Sequence, residues 1–166
     1  MALPTWDVFI GLAFVLGIAY GFILRREKVI TALCSTYIGI VIATNFSEYL
    51  FQFFNGNKFI AGQIWIKSNA SVGTIAIVTL LVSSFLISGA INSAKSRPGD
   101  VSPLEVLIYS ALNIALIVGA IVGFLPEESR AHVIETSKMA KIIFDYKTLW
   151  VILPPLSLIV LNFRRK

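Results

Sequence analysis

A single cysteine, Cys34, and a single histidine, His132, stand in a chain of 166 residues. The first count excludes an internal disulfide and a cysteine metal cluster; the second excludes any site that needs two imidazoles. Charge is equally scarce. Asp, Glu, Lys and Arg make up 14% of the chain and hydrophobic residues 57%, against about a quarter and about half in soluble domains. A water-soluble globule of this size has too little interior to hide so much apolar surface. The solvent that suits this chain is a bilayer, which excludes a soluble enzyme, a secreted disulfide scaffold and a disordered tail. Nucleophile elbows, phosphate loops, paired carboxylates and metal-ligand spacings are missing too, so no catalysis, cofactor or metal is expected. The net charge of +5 does not indicate nucleic acid, because the basic residues fall in small groups between apolar runs.

The apolar runs predict an all-α, polytopic membrane helix bundle forming one integral domain over residues 1–166. Spans are expected at about 8–24, 29–50, 72–91 and 104–125, with a weaker segment at 149–163. Crossing a hydrocarbon core takes roughly 20 helical residues. The second run is too long if it continues to Phe54, so its tail is expected to tilt or bend with Glu48 at headgroup level. Pro154 and Pro155 remove two backbone donors from the fifth segment, leaving a kinked span or a re-entrant piece. The first run is no cleaved signal, since Asp7 precedes it and Arg25, Arg26 and Lys28 follow it.

Orientation follows from the basic residues of short loops. With five crossings, Arg25, Arg26, Lys28, Lys95, Arg97 and the terminal Arg164-Arg165-Lys166 share one face. That face is the cytoplasmic one, with the N-terminus outside. The longer outer loops hold Lys58, Lys67, Arg130, Lys138, Lys141 and Lys147. One loop is rich in aromatics (Phe51, Phe53, Phe54, Phe59 and Trp65 around Asn55-Gly56-Asn57), as at a membrane boundary. In the other, Pro126-Glu127-Glu128 starts an amphipathic outer helix. Its apolar side holds Val133, Thr136, Met139, Ala140, Ile143 and Phe144.

In lipid, close backbone approach and interhelical hydrogen bonds must hold helices together. Small residues spaced by four form ridges on the spans. Gly17 and Gly21 follow Ala13 on the first; Gly39 lies between Ser35 and Ala43 on the second; Gly119 and Gly123 follow Ala111 and Ala115 on the fourth. These are expected helix-packing positions, with self-association or other membrane proteins as partners. Asn113, near the middle of the fourth span, is the candidate polar intramembrane site. Ser84 and Thr79 of the third span are placed to face it, either as a small-solute path or as helix glue. Asp7 and Glu105 read as first-turn carboxylates capping their own helices. His132 reads as a surface residue and Cys34 as a small packing residue.

Trp6-Asp7-Val8 opens a span, and Tyr20-Gly21-Phe22 precedes Arg25-Arg26-Glu27. A second span then flows into aromatics, followed by Ala76-Ile77, Gly89-Ala90-Ile91-Asn92 and the small residues toward Gly119. In this order, over roughly residues 5–125, the chain resembles the colicin V production protein family (CvpA). The resemblance implies a bacterial inner-membrane protein tied to colicin V production or export and to envelope homeostasis. An oligomeric small-solute or ion channel and an accessory subunit of a larger membrane complex are the alternatives.

Overall fold

A computed structural model describes residues 5–55, 71–91 and 102–163. The loop aromatics from 56 onward, Lys58, Lys67, the 92–100 loop and the terminal Arg164-Arg165-Lys166 lie outside the described residues. Six helices account for the rest: α1 (Trp6–Asn55), α2 (Val72–Ala90), α3 (Pro103–Phe124), α4 (Glu127–Thr136), α5 (Lys138–Asp145) and α6 (Lys147–Phe163). Four stretches are long and apolar enough to cross a membrane: Trp6–Leu24, Glu27–Phe53, Val72–Ala90 and Pro103–Phe124. A bent pair, α5 with α6 at 68°, makes a fifth if it counts as one span. The exterior is that of a membrane protein, since Ile23 and Phe85 are 77% and 78% exposed where water would drive such patches into contact.

Helical backbone continues from Trp6 to Asn55, yet α1 is not one rod. A methyl group placed on Gly21 would lie 3.4 Å from Val29 Cγ2, whereas eight residues of straight helix rise about 12 Å. Contacts with α3 show the reversal. Gly17 lies against Ile114 and Gly21 against Ser110, so the first arm, α1a (Trp6–Leu24), runs antiparallel to α3. Val29 and Leu33 share one buried cluster with Val106 and Tyr109, and Ile40 packs on the same cluster with Leu116, so the second arm, α1b (Glu27–Phe53), runs parallel to it. The turn falls at Arg25-Arg26, where the charges interrupt the apolar run. At 27 residues, α1b spans about 40 Å, longer than the hydrocarbon core, and it stays helical past the exposed Glu48.

Packing around α3 organises the remainder. It touches every other helix and buries Val106, Tyr109, Ser110, Leu112, Ala115, Leu116 and Val122. α2, capped by Ser71, whose side chain accepts from the Thr74 amide, packs chiefly on α1 and buries only Ala76 and Leu80. At the far end of α3, Ile10, Val122, Val133, Ala140 and Ile143 form a second buried cluster. The expected outer helix is two helices. Ser137 is extended (φ −128°, ψ 118°) and caps α5 by accepting from the Ala140 amide. The break turns Val133, Ala140 and Ile143 inward but leaves Thr136 exposed, off the apolar side where the sequence placed it.

The closeness of α1a to α3 is testable. Ser110 Cβ lies 2.9 Å from the position of a methyl on Gly21, so Gly21→Ala forces the helices apart and is expected to cost about 1–3 kcal/mol. Ser110→Gly should recover much of that loss once its own helix penalty is subtracted. Thermal unfolding of the four-member cycle in detergent measures the coupling; strictly additive effects would contradict the contact.

Candidate functional site

The broken end of the bundle gathers the features that ask for an explanation. Within α6, Pro154 and Pro155 offer no N–H to the carbonyls four residues earlier, on Trp150 and Val151. An unpaired carbonyl costs several kcal/mol in hydrocarbon, and the structure supplies a donor from elsewhere. Tyr37 of α1b donates its hydroxyl to the Val151 carbonyl at 2.5 Å, filling the place of the amide that Pro155 lacks. Ser157 donates to the Pro154 carbonyl at 2.7 Å. The helix thus passes both prolines and continues to Phe163. Its first turn lies beside Gly119 and Gly123, while Leu158 packs on the Val29, Leu33 and Val106 cluster at the other end of α3. α6 therefore runs back along α3 toward the turn of α1, as a crossing segment does.

A second long-range tie holds the element before it. The Asp7 carboxylate accepts from Ser137 Oγ at 2.6 Å and from the Met139 amide at 3.0 Å. Asp7 still lies in the first turn of α1, but its hydrogen bonds cap α5, some 130 residues away in sequence. Own-helix capping was the expectation; the 136–138 break, which the sequence did not reveal, presents α5's first amides to Asp7. Glu105 lies in the first turn of α3, as expected, and is buried there. Cys34 is exposed on α1b, so it is not a packing residue; His132 is exposed on α4.

Between α1b, α3 and α6 lies a cavity of about 440 Å³. Its floor is the small-residue ridge of α3, Ala115, Gly119 and Gly123; Ile40 and Thr44 of α1b form one wall; Lys147, Thr148, Trp150 and Val151 of α6 form the other. The glycines explain the space. A methyl on Gly123 would meet nothing within 4 Å, and on Gly119 only Ile143 Cγ2 at 3.5 Å. Gly119 thus meets α5 at ordinary contact distance, while Gly123 faces an opening beside the first turn of α6. Gly17, Gly21 and Gly39 differ. Their faces are occupied by Ile114, Ser110 and Ser84 respectively. Gly73, which the sequence did not single out, sits against the Phe124 carbonyl because α2 begins where α3 ends.

The polar trio expected in mid-membrane does not form a hydrogen-bonded group. Ser84 Oγ is buried against Gly39 on α1b, and Asn113 Oδ1 is buried on α3; among the described residues neither has a hydrogen-bond partner. Thr79 lends its carbonyl to Ser83 Oγ at 2.6 Å. α2 packs mainly on α1b rather than on α3, which keeps Ser84 and Thr79 with that arm. Among the described residues, no three His, Cys, Asp or Glu side chains come together as a metal site. Comparison of the chain with protein families, with characterised proteins and with solved structures gave no match.

Two outcomes follow from these ties. Tyr37→Phe orphans the Val151 carbonyl and is expected to destabilise the folded protein by about 1–3 kcal/mol. In a Pro155→Leu background, where the new amide serves Val151 within the helix, the same change should cost much less; an undiminished cost would show that Tyr37 acts through packing alone. Asp7→Ala should loosen the start of α5, read as faster maleimide labelling of a cysteine introduced by Ala140→Cys in a Cys34→Ser background. Labelling as slow as with Asp7 intact would remove the carboxylate from that role.

Proposed function

We propose that the protein is a non-catalytic, polytopic component of the bacterial inner membrane. In this reading it acts as a scaffold or as an export- and envelope-associated part that self-associates or joins other membrane proteins. The observation that carries the reading is how the chain spends its polar groups. Ser35, Thr36 and Ser83 turn back to carbonyl oxygens one turn earlier in their own helices. Asp7 and Tyr37 reach across the bundle, and both bind its last third to its first. These polar groups are used within the protein itself, which supports a structural part over a lined path. The resemblance of residues 5–125 to the colicin V production family agrees with such a role. Orientation follows the basic residues: the Arg25-Arg26-Glu27-Lys28 turn faces the cytoplasm, which leaves the N-terminus, α4 and α5 outside.

An oligomeric channel is the second reading, and Asn113 is what favours it, because a buried, unpartnered amide oxygen near the middle of α3 is uncommon in lipid. An accessory subunit of a larger complex is a further variant of the scaffold. Purified protein in planar bilayers separates the two. The scaffold predicts no unitary conductance, together with a discrete assembly on native gels after mild extraction. Reproducible conductance altered by Asn113→Leu would replace it with the channel.

A further inference from the structure

The cavity described above has a direction. At one end the hydrogen bond from Tyr37 to Val151 joins its two walls; at the other stand Thr44, Thr148 and Lys147. Its floor along α3, from Ala115 to Gly123, covers about 12 Å of helix and is lined by small and apolar side chains. Thr44, Gly123, Thr148 and Val151 are exposed, so the groove opens sideways out of the bundle, where acyl chains are the solvent.

The open end carries two cations, Lys147 and Arg130, that are not tied up in ion pairs among the described residues. Lys147 Nζ lies 5.0 Å and Arg130 Cζ 5.6 Å from the centroid of the same Phe144 ring. Among the described residues neither cation forms an ion pair with a carboxylate. The neighbouring acids Asp145, Glu127 and Glu128 are exposed and do not pair with them. The depth of this end is marked by the chain itself. α5 is amphipathic, burying Ala140 and Ile143 while exposing Lys138 and Lys141, the pattern of a helix lying along the interface. The 68° bend after Asp145 then turns α6 into the apolar layer, which places Lys147 at headgroup level.

We propose that this groove is a binding site for an anionic phospholipid. One acyl chain lies on the Ala115, Gly119 and Gly123 floor, and the phosphate sits between Lys147 and Arg130. The apolar groove would accept the tail of any lipid; the two cations select the anionic headgroup, together giving about a fivefold preference, which is about 1 kcal/mol. Both cations stand against the Phe144 ring, which keeps them at the same end of the groove.

Trp150, in the groove wall, reports occupancy directly. The full chain with Trp6→Phe and Trp65→Phe, reconstituted in phosphatidylcholine vesicles, leaves it as the only indole. Brominated phosphatidylglycerol should quench its fluorescence to half of the limiting extent at a mole fraction about fivefold lower than brominated phosphatidylcholine. Lys147→Gln with Arg130→Gln should abolish that preference while the helical circular dichroism stays unchanged. Gly123→Leu, which places a side chain in the groove without a backbone clash, should reduce quenching by both lipids. Equal quenching by the two lipids would overturn the proposal, as would a preference that survives the charge substitutions. So would an absence of quenching by either, the result expected if a second copy of the chain covers the groove. The charge substitutions decide the matter even if Gly123→Leu fails to fold, because both side chains lie at the surface end of the bundle.

Discussion

Everything in the bundle depends on how closely the two arms of α1 approach α3. Water does not drive these helices together, because lipid tails solvate leucine as well as a protein interior does. What remains is contact, and contact requires surfaces that let backbones meet. Gly17 and Gly21 provide one such surface to Ile114 and Ser110, and Gly39 provides another to Ser84. With both arms seated, α3 becomes the axis on which α5 and α6 settle. Ser84 and Ser110 each bury a hydroxyl oxygen against a glycine face, with no conventional partner among the described residues. Weak Cα–H contacts to these oxygens are the interaction such an approach allows.

The last third of the chain is held by different means. α4 and α5 are too short and too polar to anchor themselves in lipid, and α6 is interrupted by two prolines. Their attachment combines the Ile10, Val122 and Ile143 cluster with two directed bonds, one from the chain's first turn and one from the middle of α1b. Directed bonds suit this position because each satisfies a backbone group that the local sequence leaves without a partner. The groove beside them lies where the first turn of α6 passes the glycine ridge of α3, whose Gly119 and Gly123 carry no side chain to fill it.

Much of the architecture was legible in the sequence because lipid makes composition informative. Charges could fall only between spans, so Arg25-Arg26 marked the reversal of α1 even though the backbone there remains helical. The α2 and α3 boundaries followed from the apolar runs at 72–91 and 104–125. What could not be read was which surfaces would meet. Gly119 and Gly21 look alike as members of four-residue ridges, but only the neighbour decides whether a ridge is buried or bare. The partners of Asp7 and Tyr37 lie more than a hundred residues away, and no local pattern announces them. Ser137 was hidden for another reason: a lone serine inside an amphipathic run is ordinarily tolerated, and its capping of α5 depends on the Asp7 carboxylate beside it.

The hydroxyl of Tyr37 also imposes an order on biogenesis. A helix carrying two consecutive prolines enters the apolar layer with carbonyls that its own backbone cannot serve, at a cost of several kcal/mol for each one left bare. The donor that relieves Val151 belongs to α1b, a segment synthesised more than a hundred residues earlier. By the time α6 emerges, α1b is already in the membrane. The last helix therefore inserts against a prepared wall rather than into plain lipid, and a chain lacking α1b would hold its final segment at the interface.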